Sequence, residues 1–240
     1  MTNQDSKNIN KFISETGLTS RRGADRLVEA GRVKINGITA KLGNRVVDGD
    51  KISLDGKEIK IKEEKVYIAF NKPVGVVCTT DQREKNNIID FINFPKRVFP
   101  VGRLDKLSQG LILLTNDGDI VNKVLRSRNN HEKEYLVKVD KIISEDFINS
   151  MRKGVNILDQ ITNKCFVEKL TDEDFRIILT QGLNRQIRRM TKALGYEVKK
   201  LKRIRIMNIK LGDIEKGKWR YLSEKELKTL KHLSTLSHNN

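Results

Sequence analysis

The longest strongly apolar run in this chain is Leu111-Ile112-Leu113-Leu114. Four residues fall far short of the roughly 20 that a membrane-spanning helix needs. Together with Gly110 and Thr115 they read instead as a strand too apolar to be exposed. The first thirty residues carry Lys7, Lys11, Glu15, Arg21 and Arg22 and no uninterrupted apolar core, so no secretory leader and no membrane partner are expected. The rest of the fold has to come from short amphipathic pieces.

Residues 1–62 read as one small module. Phe12 and Ile13 lie in a short helical stretch stopped by Gly17. Ser20 caps a second helix with Ala24, Leu27 and Val28 on its buried stripe, and Gly31 ends it. Val33-Lys34-Ile35, the Asn36-Gly37 turn and Ile38 predict a hairpin. Asp48-Gly49-Asp50 and Asp55-Gly56 then bracket a strand over 52–54. The charge-alternating segment 57–65 is the expected domain boundary, with the linker ending near 65 and a second domain over 66–240.

The second part predicts strands at 66–70, 76–77, 110–115, 135–139, 166–170 and 175–180. Asn71 to Gly75 is expected as a turn. Helices are expected at 119–126, 144–153, 184–194 and 223–236. This order fits an α+β fold with a mixed, mostly antiparallel sheet better than regular βαβ alternation.

Charge narrows the partner. The chain has 48 Lys and Arg against 31 Asp and Glu, a formal net charge of +17. Such an imbalance costs self-repulsion that a polyanion relieves. Residues 181–220 hold 13 Lys and Arg but only Glu197, Asp213 and Glu215, and nothing nearby in the chain neutralises the excess of ten. A nucleic-acid surface is expected there. In the first module, Arg21 and Arg22 open the second helix, whose N-terminus favours a phosphate, while Arg32 and Lys34 flank the following strand. Phe12 is the only aromatic residue of that module, which favours contacts to folded RNA over base stacking. Cys78 and Cys165 are a distant pair, and the histidines at 131, 232 and 238 have no zinc spacing. Both point to a reducing cytoplasm and to no bound metal.

Gly-Leu-Thr-Ser-Arg-Arg (17–22), Ala-Gly-Arg-Val-Lys-Ile-Asn-Gly (30–37) and Asp-Gly-Asp (48–50) resemble the S4 RNA-binding domain. That likeness covers residues 10–56 and implies a structured RNA, particularly ribosomal RNA.

The second domain carries Val-Gly-Arg-Leu-Asp (101–105), with Asp105 in a short polar loop before the apolar strand. An isolated loop aspartate is ordinarily a solvated one. The helix expected over 184–194 supplies candidate partners, because Arg185, Arg188 and Arg189 at i, i+3 and i+4 share a face. Ile187, Met190 and Leu194 would dock that helix on the core. An arginine brought against Asp105 keeps the carboxylate ionised and oriented, which suits a nucleophile.

These motifs resemble the S4-containing pseudouridine synthases of the small-subunit (RsuA-type) ribosomal branch. Gly-Arg-Leu-Asp (102–105) is similar to that family's signature, and the resemblance makes Asp105 the catalytic aspartate. Lys-Glu-Tyr-Leu-Val (133–137) makes Tyr135 the tyrosine that lies against the target uracil. Gln-Gly-Leu-Asn-Arg-Gln-Ile-Arg-Arg-Met (181–190) makes Arg188 the arginine paired with the aspartate. Asn-Lys-Pro-Val-Gly (71–75) is similar to a first motif that is mostly a fold element. Asn-His-Glu-Lys-Glu-Tyr (130–135) and the 181–190 run are nearest to the large-subunit enzymes of type F. The implied reaction, uridine to pseudouridine, is redox-neutral and calls for no cofactor and no nucleotide. Arg103 would fill the gap left by a flipped base or grip a phosphate, and Arg185 and Arg189 are further expected RNA contacts.

Two rivals stay open: a non-catalytic RNA-binding or ribosome-assembly factor, and the same chemistry on tRNA. Gly212 to Lys218 has the spacing of a phosphate-binding loop, but Trp219 stands where a magnesium-holding hydroxyl belongs. The remaining expectation is a cytoplasmic monomer acting on ribosomal RNA.

Overall fold

The computed structural model describes residues 6–61, 64–125 and 131–236. Arg126, Asn130 and His238 lie outside the described residues, as do positions 1–5 of the first module. The chain divides into two compact units, Met1–Lys65 and Val66–Asn240.

The first unit begins with β1 (Lys7–Asn8), α1 (Ile9–Glu15) and α2 (Arg21–Glu29). It continues through β2 (Val33–Ile35), β3 (Ile38–Thr39), β4 (Arg45–Val46), β5 (Ile52–Leu54) and β6 (Lys57–Glu58). The Ser20 hydroxyl accepts the Gly23 N–H at 3.0 Å and so caps α2. Asn36 and Gly37 both take positive φ, +50° and +83°, which lets a two-residue turn join β2 to β3 with the twist that strands require. Asp55-Gly56 repeats the device between β5 and β6. The resulting antiparallel sheet has the order β3-β2-β5-β6. Ile9 and Ile13 of α1, Ala24 and Val28 of α2, and Val33 and Ile52 of the sheet form its core.

The second unit starts with β7 (Tyr67–Lys72), α3 (Ile88–Ile92), β8 (Phe99–Val101), β9 (Gln109–Thr115) and α4 (Gly118–Leu125). Next come β10 (Lys133–Val139), α5 (Glu145–Lys153), β11 (Asn156–Ile157), β12 (Gln160–Ile161), β13 (Phe166–Lys169) and β14 (Asp174–Leu179). It closes with α6 (Gln186–Ala193), β15 (Val198–Ile206), β16 (Ile209–Lys210), β17 (Trp219–Tyr221) and α7 (Glu224–Leu236). The main sheet runs β13-β14-β10-β15-β9-β7-β17, with β16 paired to β15 and β8 to β9. Its pairs are antiparallel except β15 with β9, so the mixed, mostly antiparallel sheet is as expected.

The apolar run owes its continuity to burial on both faces. Ile112 and Leu114 join Ile68 and Phe70 in one core, packed with residues of α3, α5 and α6. Leu111 and Leu113 join Tyr67 and Ala69 in the other, with Ile120 and Val124 of α4 and Leu230 of α7. Alternate residues of one strand thus feed two cores.

Three expectations are corrected. β7 runs on through Asn71 and Lys72, because both pair with β9, so the turn is shorter than 71–75. Val76-Val77 is no strand; Val77 makes a single isolated bridge to Asn87. Helix α6 starts at Gln186 rather than Asn184. The Gln186 side-chain oxygen accepts the Leu183 N–H at 3.1 Å, and Arg185 is left-handed at φ +50°, so the chain bends before the first helical turn. Among the described residues, no helix is long and apolar enough to cross a membrane.

Candidate active site

Asp105 sits in the loop between β8 and β9. Its carbonyl accepts the Ser108 N–H at 2.9 Å, closing a turn. Next to it, the Leu104 side chain is buried in the core, and the Leu104 N–H reaches the Cys78 sulfur at 3.4 Å. The Gly75 N–H donates to the Lys106 carbonyl at 2.8 Å, so the short turn after β7 pins the aspartate loop from the other side. Lys72, at the end of β7, is fully buried and donates to the Pro73 and Val76 carbonyls at 2.9 and 2.7 Å. Its role in the 71–75 motif is therefore to fold that turn. Burial brings the Lys72 ammonium down to about 8, against the opposing pull of Cys78 and Asp105.

Tyr135 occupies the middle of β10, 9% exposed, with Ile177 of β14 and Arg203 of β15 as its register partners. Arg188 is on α6. Its Nη2 donates to the Leu107 carbonyl at 2.9 Å and its Nη1 to the Val198 carbonyl at 3.2 Å. The expected direct ion pair with Asp105 is thus replaced by two carbonyl contacts that tie α6 to the aspartate loop and to β15. The Asp105 charge still acts on Arg188 through space, opposing the burial that lowers the guanidinium pKa. The Arg188 Nε is buried without a partner, one spare donor.

These three side chains, drawn from three separated motifs, line one cavity of about 660 Å³. That volume lies within the roughly 300–1,000 Å³ range of small-ligand sites. Arg103 and Arg185, both exposed, line it as well. Arg189 does not lie on the face expected for it. Its guanidinium is turned back onto Asn184, to the carbonyl at 3.0 Å and the side-chain oxygen at 3.1 Å, because the chain bends there before the helix.

In the first unit, Arg21, Arg22 and Lys34 are exposed. Arg32 is exposed too, but its guanidinium forks onto the Asp55 carboxylate, with Nε donating to Oδ1 at 2.9 Å. The excess positive charge over 181–220 is also partly offset by residues far away in sequence. Arg205 pairs with Glu132 and Glu134, and Arg220 with Glu226, so the expectation that it goes unneutralised is corrected.

Sequence reasoning missed four cavity or near-cavity groups: Lys72, Cys78, Lys133 and Arg203. Lys133 and Arg203 line the cavity, Cys78 lines it with a thiol pushed up by burial, and Lys72 is close enough to Asp105 to feel its charge. Alternation along strands β10 and β15 was the signal for two of them, since Lys133 shares a face with Tyr135, and Arg203 with Leu201.

A half-buried carboxylate on an anchored loop, an aromatic wall and arginines lining one cavity suit a nucleotide base held for nucleophilic attack at its sugar. Comparison with known proteins agrees. Residues 66–193 match the family model described as RNA pseudouridylate synthase, and residues 8–52 match the S4 domain. The chain is 56% identical over 229 residues to the dual-specificity RNA pseudouridine synthase RluF of Salmonella typhi, covering 95% of this chain and 79% of that protein. It is 34% identical over 235 residues to the ribosomal large subunit pseudouridine synthase B of Bacillus subtilis, covering 94% and 96%. A crystal structure of a pseudouridylate synthase superposes with a TM-score of 0.69 at 29% identity, over 93% of this chain and 99% of that one. An S4 domain followed by this sheet and this cavity, with relatives of that name over nearly the whole length, places the chain in the RNA pseudouridylate synthase family.

Proposed function

We propose that the enzyme isomerises one specific uridine of ribosomal RNA, most directly large-subunit RNA, with Asp105 as its nucleophile. The convergence of Asp105, Tyr135 and Arg188 on one cavity carries this reading. The target nucleotide leaves its stack at a cost of a few kcal/mol, and the cavity repays part of it by holding the base. Tyr135 packs on the ring. Asp105, on a loop pinned by Gly75 and anchored by Leu104, acts at the sugar carbon that bears the base. Arg188 keeps that loop in place through Leu107 and adds a positive field beside the carboxylate. Exposed Arg103 at the cavity wall fills the gap in the RNA stack or binds a phosphate.

The S4 unit binds folded RNA through Arg21, Arg22 and Lys34, with Arg32 contributing less because Asp55 offsets it. Arg185 adds a phosphate contact at the cavity, and Arg189 one beside it. The large-subunit RNA assignment rests on the names of the relatives, one of them a ribosomal large subunit enzyme. The dual specificity in the name of the other is the reason to test transfer RNA alongside. We place the enzyme in the cytoplasm as a monomer; its two free thiols, Cys78 and Cys165, suit a reducing compartment.

Carbodiimide mapping of pseudouridine in ribosomal RNA and tRNA, from cells with and without the gene, tests the substrate. Loss of one ribosomal site supports the proposal. Loss confined to tRNA, or no loss at all, overturns it.

A further inference from the structure

Two cations in the cavity take no part in the mechanism described so far. Arg203 on β15 is 4% exposed, and its guanidinium carbon lies 5.9 Å from the centre of the Tyr135 ring. Its Nε donates to the Leu111 carbonyl at 2.7 Å, whereas its Nη2 is buried with no partner. Lys133 stands two residues before Tyr135 on β10 and lines the same cavity. Its Nζ donates to the His131 carbonyl at 3.1 Å. Burial and the Arg203 charge bring the Lys133 ammonium down to about 8.

Among the described residues, neither cation has a carboxylate partner. A buried donor left without an acceptor is unfavourable, and an unpaired buried charge more so. Such an arrangement persists where a negative group arrives during function. The isomerisation generates one. The C1′–N1 bond breaks with its electron pair on N1, spread over O2 and O4 of the pyrimidine. The Asp105 carboxylate bonds C1′ as N1 leaves. The base then turns, and C5 uses its π pair to bond C1′ while the C1′–O bond breaks with its pair returning to Asp105. C5 gives up its proton and N1 gains one, so the product is an isomer with atoms and electrons balanced. The negative base exists only between cleavage and reattachment. A fixed cation beside it therefore stabilises the transition state more than the bound uridine.

We propose that Arg203, with Lys133 beside it, is the seat of the departing uracil anion, stabilising the base as the glycosidic bond breaks and retaining it while it turns. This rests on the reading of Tyr135 as the wall against which the base lies.

The test uses the full-length enzyme in single-turnover assays on two RNA fragments, one with the target uridine and one with 5-fluorouridine in its place. On both, loss of the N1-linked nucleoside is scored, because fluorine cannot leave C5 as a proton and only the cleavage step is common to the two. Fluorine stabilises the base anion, so the second substrate depends less on help from the protein. Arg203→Met is expected to slow conversion of the uridine RNA by roughly 10²–10³-fold, as loss of one oxyanion donor does elsewhere. The defect should shrink at least about tenfold on the fluorinated RNA, with RNA affinity nearly unchanged, and Arg203→Lys should recover part of the rate. An equal defect on both RNAs marks a structural role and overturns the proposal. A defect confined to RNA affinity, with a shallower salt dependence, marks a phosphate contact and overturns it too. If Arg203→Met fails to fold, Lys133→Met carries the same comparison with the same deciding outcomes. These results stand apart from the Asp105 reading, which fails only if an Asp105 variant still turns over.

Discussion

Replacing Gly110 by alanine should cost both stability and turnover. Gly110 lies in β9 at φ +111°, a conformation that side-chain-bearing residues rarely adopt. It is also where β9 runs beside β15, with Arg203 as its register partner. An added Cβ would stand 2.2 Å from the Arg203 carbonyl oxygen and 2.7 Å from the Arg203 nitrogen. These are backbone atoms, so no flexible tip can move aside. Overpacking of this kind costs about 1–3 kcal/mol, and the strained backbone adds roughly 1–3 kcal/mol. In a unit of this size 1 kcal/mol shifts Tm by about 2–4 °C, so a midpoint of about 4 kcal/mol lowers it by roughly 8–16 °C. The chain has one tryptophan, Trp219 in β17, so its fluorescence on heating reports the second unit alone. Relief of the clash must push β15 away from β9 and carry Arg203 with it, so turnover at a permissive temperature should fall more than RNA affinity. Gly118→Ala is the control: it opens α4, has nothing within 4 Å of an added Cβ, and should be neutral or slightly stabilising. A Gly110→Ala protein melting within about 2 °C of wild type, with normal turnover, would refute the argument.

Two further outcomes are expected. Replacing both Arg21 and Arg22 by alanine should weaken binding to large RNA and lower the slope of log affinity against log salt by about 2; Arg32→Ala should lower it less, since Asp55 already offsets that charge, and equal effects in a filter-binding series would contradict the pairing. Lys72 titrates near 8 in the fold and at 10.5 when exposed, so the unfolded chain holds more protons between those values and stability rises with pH across that window, by up to roughly 3 kcal/mol; denaturant titrations at pH 7.5 and 10 should show a smaller rise for Lys72→Met, and an unchanged rise would place the charge elsewhere.

Sequence carried the fold class because its signals are local. Asn36-Gly37 and Asp55-Gly56 dictate hairpins through left-handed backbone, and Ser20 and Ser144 cap their helices through side chains three residues from their targets. The apolar run announced a buried strand. What stayed hidden depends on pairing between distant segments. The basic stretch around Val198–Ile206 reads as part of a nucleic-acid surface until it is placed between β10 and β9 in the sheet, where Arg203 is buried and Arg205 meets Glu132 and Glu134. The same holds for Lys72, whose burial follows from pairing with β9. The start of α6 was misplaced because one left-handed arginine, an uncommon residue for that conformation, bends the chain. Asp105, Tyr135 and Arg188 were named from motifs, yet only the fold shows Arg188 spending its donors on Leu107 and Val198.

The central claim is that the Asp105 carboxylate performs the chemistry while other groups bind the RNA. Asp105→Asn keeps the size of the side chain and its loop, and removes only the charge and the nucleophilic oxygen pair. Tritium release from RNA labelled at C5 of uridine measures turnover directly, and binding of the same RNA can be followed in parallel. The account predicts release reduced to background with RNA affinity close to that of wild type. Tritium release at a rate comparable to wild type would contradict it.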